Sequence, residues 1–241
     1  LAFVKAAYEL SEKFDTPVLL KMCTRIAHSQ SIVETSARTV QPHKPYEKNG
    51  PKYIMMPGYA KLRHPVVEER MEALSEYAET TPLNRVEKGD GSVGIITSST
   101  CYQYVKEVFG DSADVLKLGL VNPLPRKLIL DFAASVSRVV VIEELDGIIE
   151  RHCKALGLDV DGKNIFPPIG EFSQNVIAAA LGKAPHTGEK LEEALPMRPP
   201  VMCAGCPHRG IFYVLNKLKV HVMGDIGCYS LDMVLNAIGY P

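Results

Sequence analysis

Short strands rich in β-branched residues alternate with helices over residues 91–182, and this alternation constrains the fold more than any other feature of the chain. The strands are predicted over Val93–Thr97, Val115–Leu118 and Val139–Glu143, and the helices over Cys101–Phe109, Pro125–Val136, Ile148–Leu156 and Phe172–Leu181. Strands separated by helices usually pair in parallel, and the helices then cover both faces of the sheet. The pattern therefore predicts a complete α/β domain with a parallel sheet over residues 91–182.

Partial α/β segments flank this Rossmann-like domain on both sides. The helix Ala2–Phe14 and the strand Val18–Met22 indicate the end of one domain over residues 1–40. A proline-rich linker with one amphipathic helix, Val66–Ala78, follows over 41–90, and a second linker covers 183–200. Residues 201–241, with a predicted helix over Pro207–Leu218 and a strand over Val220–Met223, indicate the start of another domain. Because the helical pattern is already in progress at residue 1, we expect a piece of a longer polypeptide.

The composition narrows the class of protein. Hydrophobic residues make up 46% and charged residues 23% of the chain, and the net charge is −1, which is typical of a soluble globular protein. A chain so close to neutrality has no general attraction for nucleic acid or anionic membranes, and its apolar runs are too short to span a bilayer. The six cysteines are irregularly spaced, which argues against a secreted disulfide scaffold and favours the reducing cytoplasm.

The central domain lacks the motif that would bind a dinucleotide. That motif places three glycines between the first strand and its helix, where the backbone approaches a pyrophosphate. Here the junction is Thr97–Thr100 and contains no glycine, so nicotinamide or flavin binding is not expected. Ser99 or Thr100 is instead predicted to cap the following helix.

Two acidic residues follow the third strand, at the edge where open α/β sheets usually bind ligands. Glu143 and Glu144 could hold a metal or act as a general base, or they could cap a helix or face a partner domain. The capping or docking role is the commoner one. His152 and Cys153, on the next helix, are predicted to have ordinary core or surface roles.

The cysteines near the end of the chain carry the sharpest chemical signal. Cys203 and Cys206 form a Cys-x-x-Cys pair, and Cys228 follows after a predicted helix and strand. Thiolates are preferred ligands of soft metal centres, and three of them suit an Fe–S cluster or zinc, each of which takes a fourth ligand. His208 is a candidate fourth zinc ligand. Spacing alone leaves an Fe–S cluster, a zinc or redox site, and structural cysteines open.

A glycine-containing turn precedes the third cysteine. Gly224, Asp225, Ile226 and Gly227 come directly after the predicted strand, so that backbone N–H groups could approach a phosphate there. Two glycines make a weak motif, and an ordinary strand-ending turn is the competing interpretation.

Several motifs in collinear order resemble one enzyme family. Cys203–Arg209 and Gly224–Tyr229 resemble the opening of the thiamine diphosphate domain in the alpha subunit of indolepyruvate:ferredoxin oxidoreductases. Leu118–Pro125 and Val139–Leu145 resemble the transketolase C-terminal-like domain of that subunit. The end of its pyrimidine-binding domain is similar to the N-terminal stretch here, Glu9–Val18 through Thr24–Arg25 and His28–Ser29. In the linker region, Arg63–His64 and Pro82–Arg85 also fit the family.

The resemblance implies a function. Members of this family oxidatively decarboxylate aryl pyruvates to acyl-CoA and pass electrons through Fe–S clusters to ferredoxin, with thiamine diphosphate and Mg²⁺ as cofactor. It implies that Cys203, Cys206 and Cys228 ligate a [4Fe–4S] cluster and that the turn Gly224, Asp225, Ile226, Gly227, Cys228 and Tyr229 lines the thiamine cofactor. The implied partners are a beta subunit, ferredoxin, an aryl pyruvate and CoA.

The resemblance also implies that essential groups lie outside this stretch. The glutamate that activates the aminopyrimidine is expected before residue 1, and the magnesium and diphosphate motif, with the fourth cluster ligand, after residue 241. The chain alone is therefore expected to be inactive. Two alternatives remain: a relative specific for pyruvate or 2-oxoglutarate, and a non-catalytic, zinc-bearing α/β binding module.

Overall fold

The structure is a computed structural model that describes residues 2–38, 40, 43, 45–188, 194, 196 and 201–237. The chain divides into two compact units, Leu1–His186 and Thr187–Pro241. Much of the predicted second linker, 183–200, lies outside the described residues. In the part of the chain that the structure describes, no helix is long and apolar enough to cross a membrane.

The first unit is built on a mostly parallel four-stranded sheet, which confirms the predicted α/β class. Its strands are β1 (Arg85–Glu87), β2 (Gly94–Ser98), β3 (Asp114–Leu118) and β4 (Val139–Ile142), in the order β1-β3-β2-β4. The central strand β2 is parallel to both β3 and β4, and only the edge strand β1 is antiparallel. The parallel strands are almost fully buried and apolar, as expected for a sheet that is covered on both faces.

Eight helices of this unit lie in the described residues, and two of them have the predicted bounds. They are α1 (Ala2–Phe14), α2 (Thr24–His28), α3 (Gly50–Tyr53), α4 (Pro57–Thr80), α5 (Cys101–Phe109), α6 (Arg126–Ala134), α7 (Ile148–Ala155) and α8 (Gln174–Ala180). The predictions for α1 and α5 are confirmed to the residue. The chain leaves α7 through Gly157, whose positive φ of 83° is a conformation that glycine adopts without strain.

Two hydrophobic cores cover the two faces of the sheet. Alternate strand residues enter one core with side chains of α5 and α8, such as Val105 and Ile177. The residues between them enter the other core with side chains of α6 and α7, such as Ile129 and Ile149. The period of two along each strand produces this division, because successive side chains point to opposite faces.

Some predictions for the first part of the chain are wrong. No strand forms at Val18–Met22, and the predicted linker contains α3, the start of α4 and the edge strand β1. Helix α4 begins at Pro57 and continues through Pro65, whereas the helix was predicted to begin only after this proline, at Val66. Thr100 precedes α5 but makes no side-chain capping bond, and Ser99 has a positive φ of 54°.

The second unit contains two helices among its described residues, α9 (His208–Leu218) and α10 (Cys228–Ala237). Its small core is formed by Met202 and Phe212, with partly buried side chains around them. The strand predicted at Val220–Met223 does not form. A strand is stabilised by pairing with a neighbour, and no other strand occurs in the described part of this unit.

Candidate functional site

The Cys-x-x-Cys pair lies on a tight turn that leads into α9. The backbone N–H of Cys206 donates to the carbonyl oxygen of Cys203 at 3.2 Å, and Gly205 between them has a positive φ of 69°. The guanidinium of Arg209 donates to the carbonyl oxygen of Met202 at 2.9 Å and so holds the turn against the helix. Cys203 is exposed and Cys206 is partly buried. The local fold therefore brings this pair together, as its spacing predicts.

An aromatic cluster joins the start of α9 to the start of α10. The ring of His208 stacks on Phe212 with 5.6 Å between centroids, and Tyr229 meets Phe212 edge-on at 4.9 Å. Cys206 and Tyr229 both pack against the core of this unit. The glycine turn and the cysteine turn are thus tied to the same core through Tyr229, the residue directly after Cys228. Sequence spacing gave no signal for this link.

The glycine turn itself is partly filled by its own residues. A Cβ on Gly224 would lie 2.7 Å from the Cβ of Tyr229, so only glycine fits beneath this side chain. The backbone N–H of Gly227 donates to the hydroxyl oxygen of Ser230 at 3.0 Å. One of the backbone N–H groups that could approach a phosphate, that of Gly227, is therefore engaged within the chain, and Asp225 and Ile226 are exposed beside it.

The three predicted metal ligands do not converge on one point. In the described residues, no group of three or more His, Cys, Asp or Glu side chains is placed to hold a metal ion. Cys228 is the exposed first residue of α10, and all three cysteines are free thiols. Their chemistry suits iron or zinc, but their positions do not form an assembled site. The ligand set therefore stays a prediction.

The acidic pair at the carboxyl edge of the sheet has a structural role. Glu143 is buried and accepts hydrogen bonds from the first backbone N–H groups of α7, those of Ile148, Ile149 and Glu150, at 3.2, 3.0 and 2.9 Å. Glu144 accepts from the backbone N–H of Phe172 at 2.7 Å. Of the alternatives left open by the sequence, the structure favours the capping role over metal binding or base catalysis.

One arginine at this edge has a role that periodicity did not indicate. Arg25, on α2, donates to the hydroxyl of Tyr104 and, at 3.2 Å, to the carbonyl oxygen of Phe172. It also pairs with Glu171 at 2.9 Å and lies 3.9 Å from Glu144. These bonds fasten the segment around α2 to the edge where a ligand of an open α/β sheet would usually bind. Only the family resemblance, which included Thr24 and Arg25, gave a signal for this residue.

The prediction of an ordinary role for His152 is wrong in one respect. Its Nε2 atom is buried, and it has no hydrogen-bond partner among the described residues. Burial and the positive charge of Arg126 both lower the pKa of this imidazole. Cys153, by contrast, lies fully in the core, as expected.

The fold and the cysteine turn define the class of this protein. It is an α/β protein with a mostly parallel sheet and a second, small helical unit that carries a Cys-x-x-Cys turn.

No family model matches the chain. Curated relatives do match it. The indolepyruvate oxidoreductase subunit IorA of Archaeoglobus fulgidus is 35% identical over 96% of this chain and 41% of its own length. The IorA subunits of Methanothermobacter marburgensis and Pyrococcus horikoshii are 34% and 30% identical over 97% and 96% of this chain, and over 42% and 41% of their own lengths.

The chain is therefore a homologue of the IorA subunits of indolepyruvate oxidoreductase, as its motifs predict, and it spans about two fifths of their length. Among solved structures, a 2-oxoglutarate:ferredoxin oxidoreductase from Magnetococcus marinus aligns with 53% of this chain and 23% of its own, at 19% identity and a TM-score of 0.42. A similarity this low supports no conclusion about function.

Proposed function

We propose that this chain is part of an oxidoreductase that decarboxylates indolepyruvate and other aryl pyruvates oxidatively to acyl-CoA and reduces ferredoxin. The observation that carries the proposal is the likeness to IorA subunits, which extends along 95–97% of the chain. The proposed cofactors are thiamine diphosphate with Mg²⁺ and a [4Fe–4S] cluster. The proposed partners are a beta subunit, ferredoxin, aryl pyruvate and CoA, and the proposed location is the cytoplasm.

The second unit supplies the residues that the proposal assigns to the cofactors. Cys203 and Cys206 lie on one turn, and Cys228 begins the helix whose next residue packs on the same core. These thiols are proposed as cluster ligands, and the turn Gly224–Tyr229 as part of the thiamine site. Among the described residues, these thiols are not assembled into a metal site.

The sheet of the first unit is proposed to serve docking rather than catalysis. At its carboxyl edge, Glu143 caps α7 and Glu144 accepts a hydrogen bond from a backbone N–H. Arg25 fastens the segment around α2 to the same edge. Both acidic residues are engaged by backbone donors, which favours docking over base catalysis by Glu143 and Glu144.

Iron analysis of the longer polypeptide, expressed with its partner subunit, tests the cluster assignment. Cys203→Ser, Cys206→Ser and Cys228→Ser are each expected to lower the iron content and the broad absorbance near ~400 nm that Fe–S centres give. Ferredoxin-coupled turnover is expected to fall with them. Cys23→Ser, which changes a cysteine of the other unit, is the matched control and should retain iron and turnover.

The result also separates the remaining alternatives. Full iron and normal turnover in all three variants would show that these thiols are not the ligands. Colourless protein with stoichiometric zinc would instead favour a zinc-bearing module without catalytic function. Turnover that is faster with pyruvate or 2-oxoglutarate than with indolepyruvate would place the chain in a different substrate class.

A further inference from the structure

The cysteine turn, Cys203–Cys206, is held by contacts within its own unit. Met202, directly before the turn, is 8% exposed and forms the small core with Phe212, and Cys206 packs against the same core. Arg209 donates from its guanidinium to the carbonyl oxygen of Met202 at 2.9 Å. Its backbone N–H donates to the carbonyl oxygen of Cys206 at 3.2 Å. The protein's own contacts therefore fix the turn at both ends.

The geometry of this turn suits a disulfide bond between its two cysteines. The hydrogen bond from the N–H of Cys206 to the carbonyl oxygen of Cys203 closes a β-turn, whose first and last Cα atoms lie less than about 7 Å apart. Disulfides join Cα atoms that are about 4.4–6.8 Å apart. Gly205 has a positive φ of 69°, as the third residue of a type II turn requires. Because the turn is already formed, little chain entropy is lost when the two sulfurs join.

The two thiols differ in exposure, and thiol–disulfide exchange can use this difference. Exchange proceeds through a mixed disulfide, which a second thiol then resolves. Cys203 is exposed, so a dissolved disulfide can reach it, and Cys206 is partly buried at the other end of the turn. Cys228 is also exposed, but it lies outside this turn, at the start of α10.

We propose that Cys203 and Cys206 form a reversible redox site that a small-molecule disulfide oxidises. The sulfur of Cys203 attacks one sulfur of the small disulfide, whose S–S bond breaks and releases one thiol with the proton of Cys203. The sulfur of Cys206 then attacks that of Cys203 and releases the second thiol with the proton of Cys206. The pair thus loses two electrons and two protons, and the small disulfide gains them.

Oxidation of the pair also controls its use as a metal ligand. Metals bind the thiolate, and a sulfur in a disulfide is no longer available as one. This consequence rests on the proposed function, in which Cys203 and Cys206 ligate a cluster. Disulfide formation and cluster loading are then alternatives for the same two sulfurs, and a reductant is needed before the oxidised chain can take up iron.

Oxidised glutathione, added to the metal-free full chain, tests the redox site. Peptide mapping by mass spectrometry is expected to show a disulfide between Cys203 and Cys206 that dithiothreitol reverses. Cys206→Ser is expected to stop at a stable glutathione adduct of Cys203, because the resolving thiol is gone. Cys228→Ser, which changes the other exposed cysteine of this unit, is the matched control and should form the disulfide as the parent does.

Variants of Gly205 test the role of the turn itself. An added Cβ at this position would meet no atom within 4 Å, so a substitution acts through the positive φ and not through crowding. Gly205→Val is expected to slow the closure of the mixed disulfide about ten-fold, because a β-branched residue disfavours this conformation. Gly205→Asn should slow closure less, because asparagine tolerates a positive φ.

Three results overturn the proposal. They are free thiols or a lasting glutathione adduct in the parent chain, a disulfide from Cys203 or Cys206 to Cys228, and closure of Gly205→Val as fast as that of the parent.

Iron separates the redox site from the proposed function. If glutathione oxidises the pair as fast in the iron-loaded longer polypeptide as in the metal-free one, the cluster ligands are wrong and the redox site stands. If these thiols are needed for iron but form no disulfide in the metal-free chain, the redox site is wrong and the cluster assignment stands.

Discussion

Single residues at the carboxyl edge of the sheet show how acidic groups that resemble catalytic ones can have a structural role. Glu143 is 8% exposed, and both of its oxygens accept backbone N–H groups from the first turn of α7. These donors have no partner within the helix, and a carboxylate at this end also interacts favourably with the helix dipole. The side chain of Glu143 thus stabilises the start of α7.

Glu143→Ala is expected to lower the free energy of unfolding by about 2–3 kcal/mol, because it leaves buried N–H groups without an acceptor. Glu143→Gln retains one oxygen and should lose less. Urea denaturation measures the change. Glu107→Ala, which removes an exposed carboxylate from α5, is the control and should be close to neutral. Equal stability of Glu143→Ala and the parent chain would contradict the capping role.

The cysteines divide by environment into reactive and unreactive thiols. Burial, with the negative charge of Glu144, raises the pKa of the Cys101 thiol to about 12, and burial, with Glu143, does the same for Cys153. The thiolate is the reactive form, so both residues should be inert at neutral pH. Cys203 and Cys228 are exposed.

Alkylation of the metal-free chain by iodoacetamide, followed by peptide mass spectrometry, checks this division. Cys203 and Cys228 are expected to react first, and Cys101 and Cys153 only after denaturant unfolds the chain. Raising the pH from 7 to 9 should leave the two buried thiols unmodified, because both values lie well below a pKa of about 12. Rapid labelling of Cys153 in the native chain would contradict the burial of this thiol.

At the scale of elements, the short edge strand β1 depends on close backbone contact. Gly89 follows β1, and a Cβ at this position would lie 2.4 Å from the carbonyl carbon of Ala113, next to the start of β3. Backbone cannot move aside as a flexible side chain can. The turn between β1 and β2 therefore requires glycine for space.

Gly89→Ala is expected to lower the free energy of unfolding by about 1–3 kcal/mol, the usual cost of a steric overlap in a packed region. Gly58, in the first turn of α4, has no atom within 4 Å of an added Cβ. Gly58→Ala should therefore stabilise the chain by about 0.5 kcal/mol, because alanine loses less backbone entropy in a helix. Denaturant midpoints of the two variants should move in opposite directions, and a shift in the same direction would refute the argument.

At the scale of the whole molecule, the two units bury very different cores. The first has an apolar core on each face of its sheet, whereas the core of the second, among its described residues, centres on Met202 and Phe212. Many apolar side chains of the second unit remain exposed, including Ile211, Val214 and Val222. Because burial of apolar area is the main stabilising term, the second unit should open more readily.

Native-state hydrogen exchange tests this difference. Backbone amides of β2, at Ile95 and Ile96, are expected to exchange most slowly, since they lie between two cores. Amides in the middle of α9 should exchange at least about ten-fold faster, through local opening. Equal protection of β2 and α9 would indicate that the two units unfold together.

Much of the fold could be predicted because its signals are local. The bounds of α1 and α5 follow from helical periodicity, and the parallel strands follow from β-branched runs between helices. The edge strand β1 was missed because three residues are too few for a period of two to show. The prediction of a strand at Val220–Met223 was wrong for a different reason. A strand needs a second strand to pair with, and the local sequence does not specify that partner strand.

Four features could be inferred from the sequence alone: the α/β class, the burial of both sheet faces, the cysteine turn and the likeness to IorA subunits. These rest on periodicity, on short-range spacing and on collinear identity, all of which can be read along the chain. Three features follow from tertiary packing alone: Glu143 caps α7, Arg25 fastens α2 to the sheet edge, and Nε2 of His152 is buried with no hydrogen-bond partner among the described residues. Each of these features depends on burial or on contacts between side chains that are distant in sequence. Packing sets the distances between such groups.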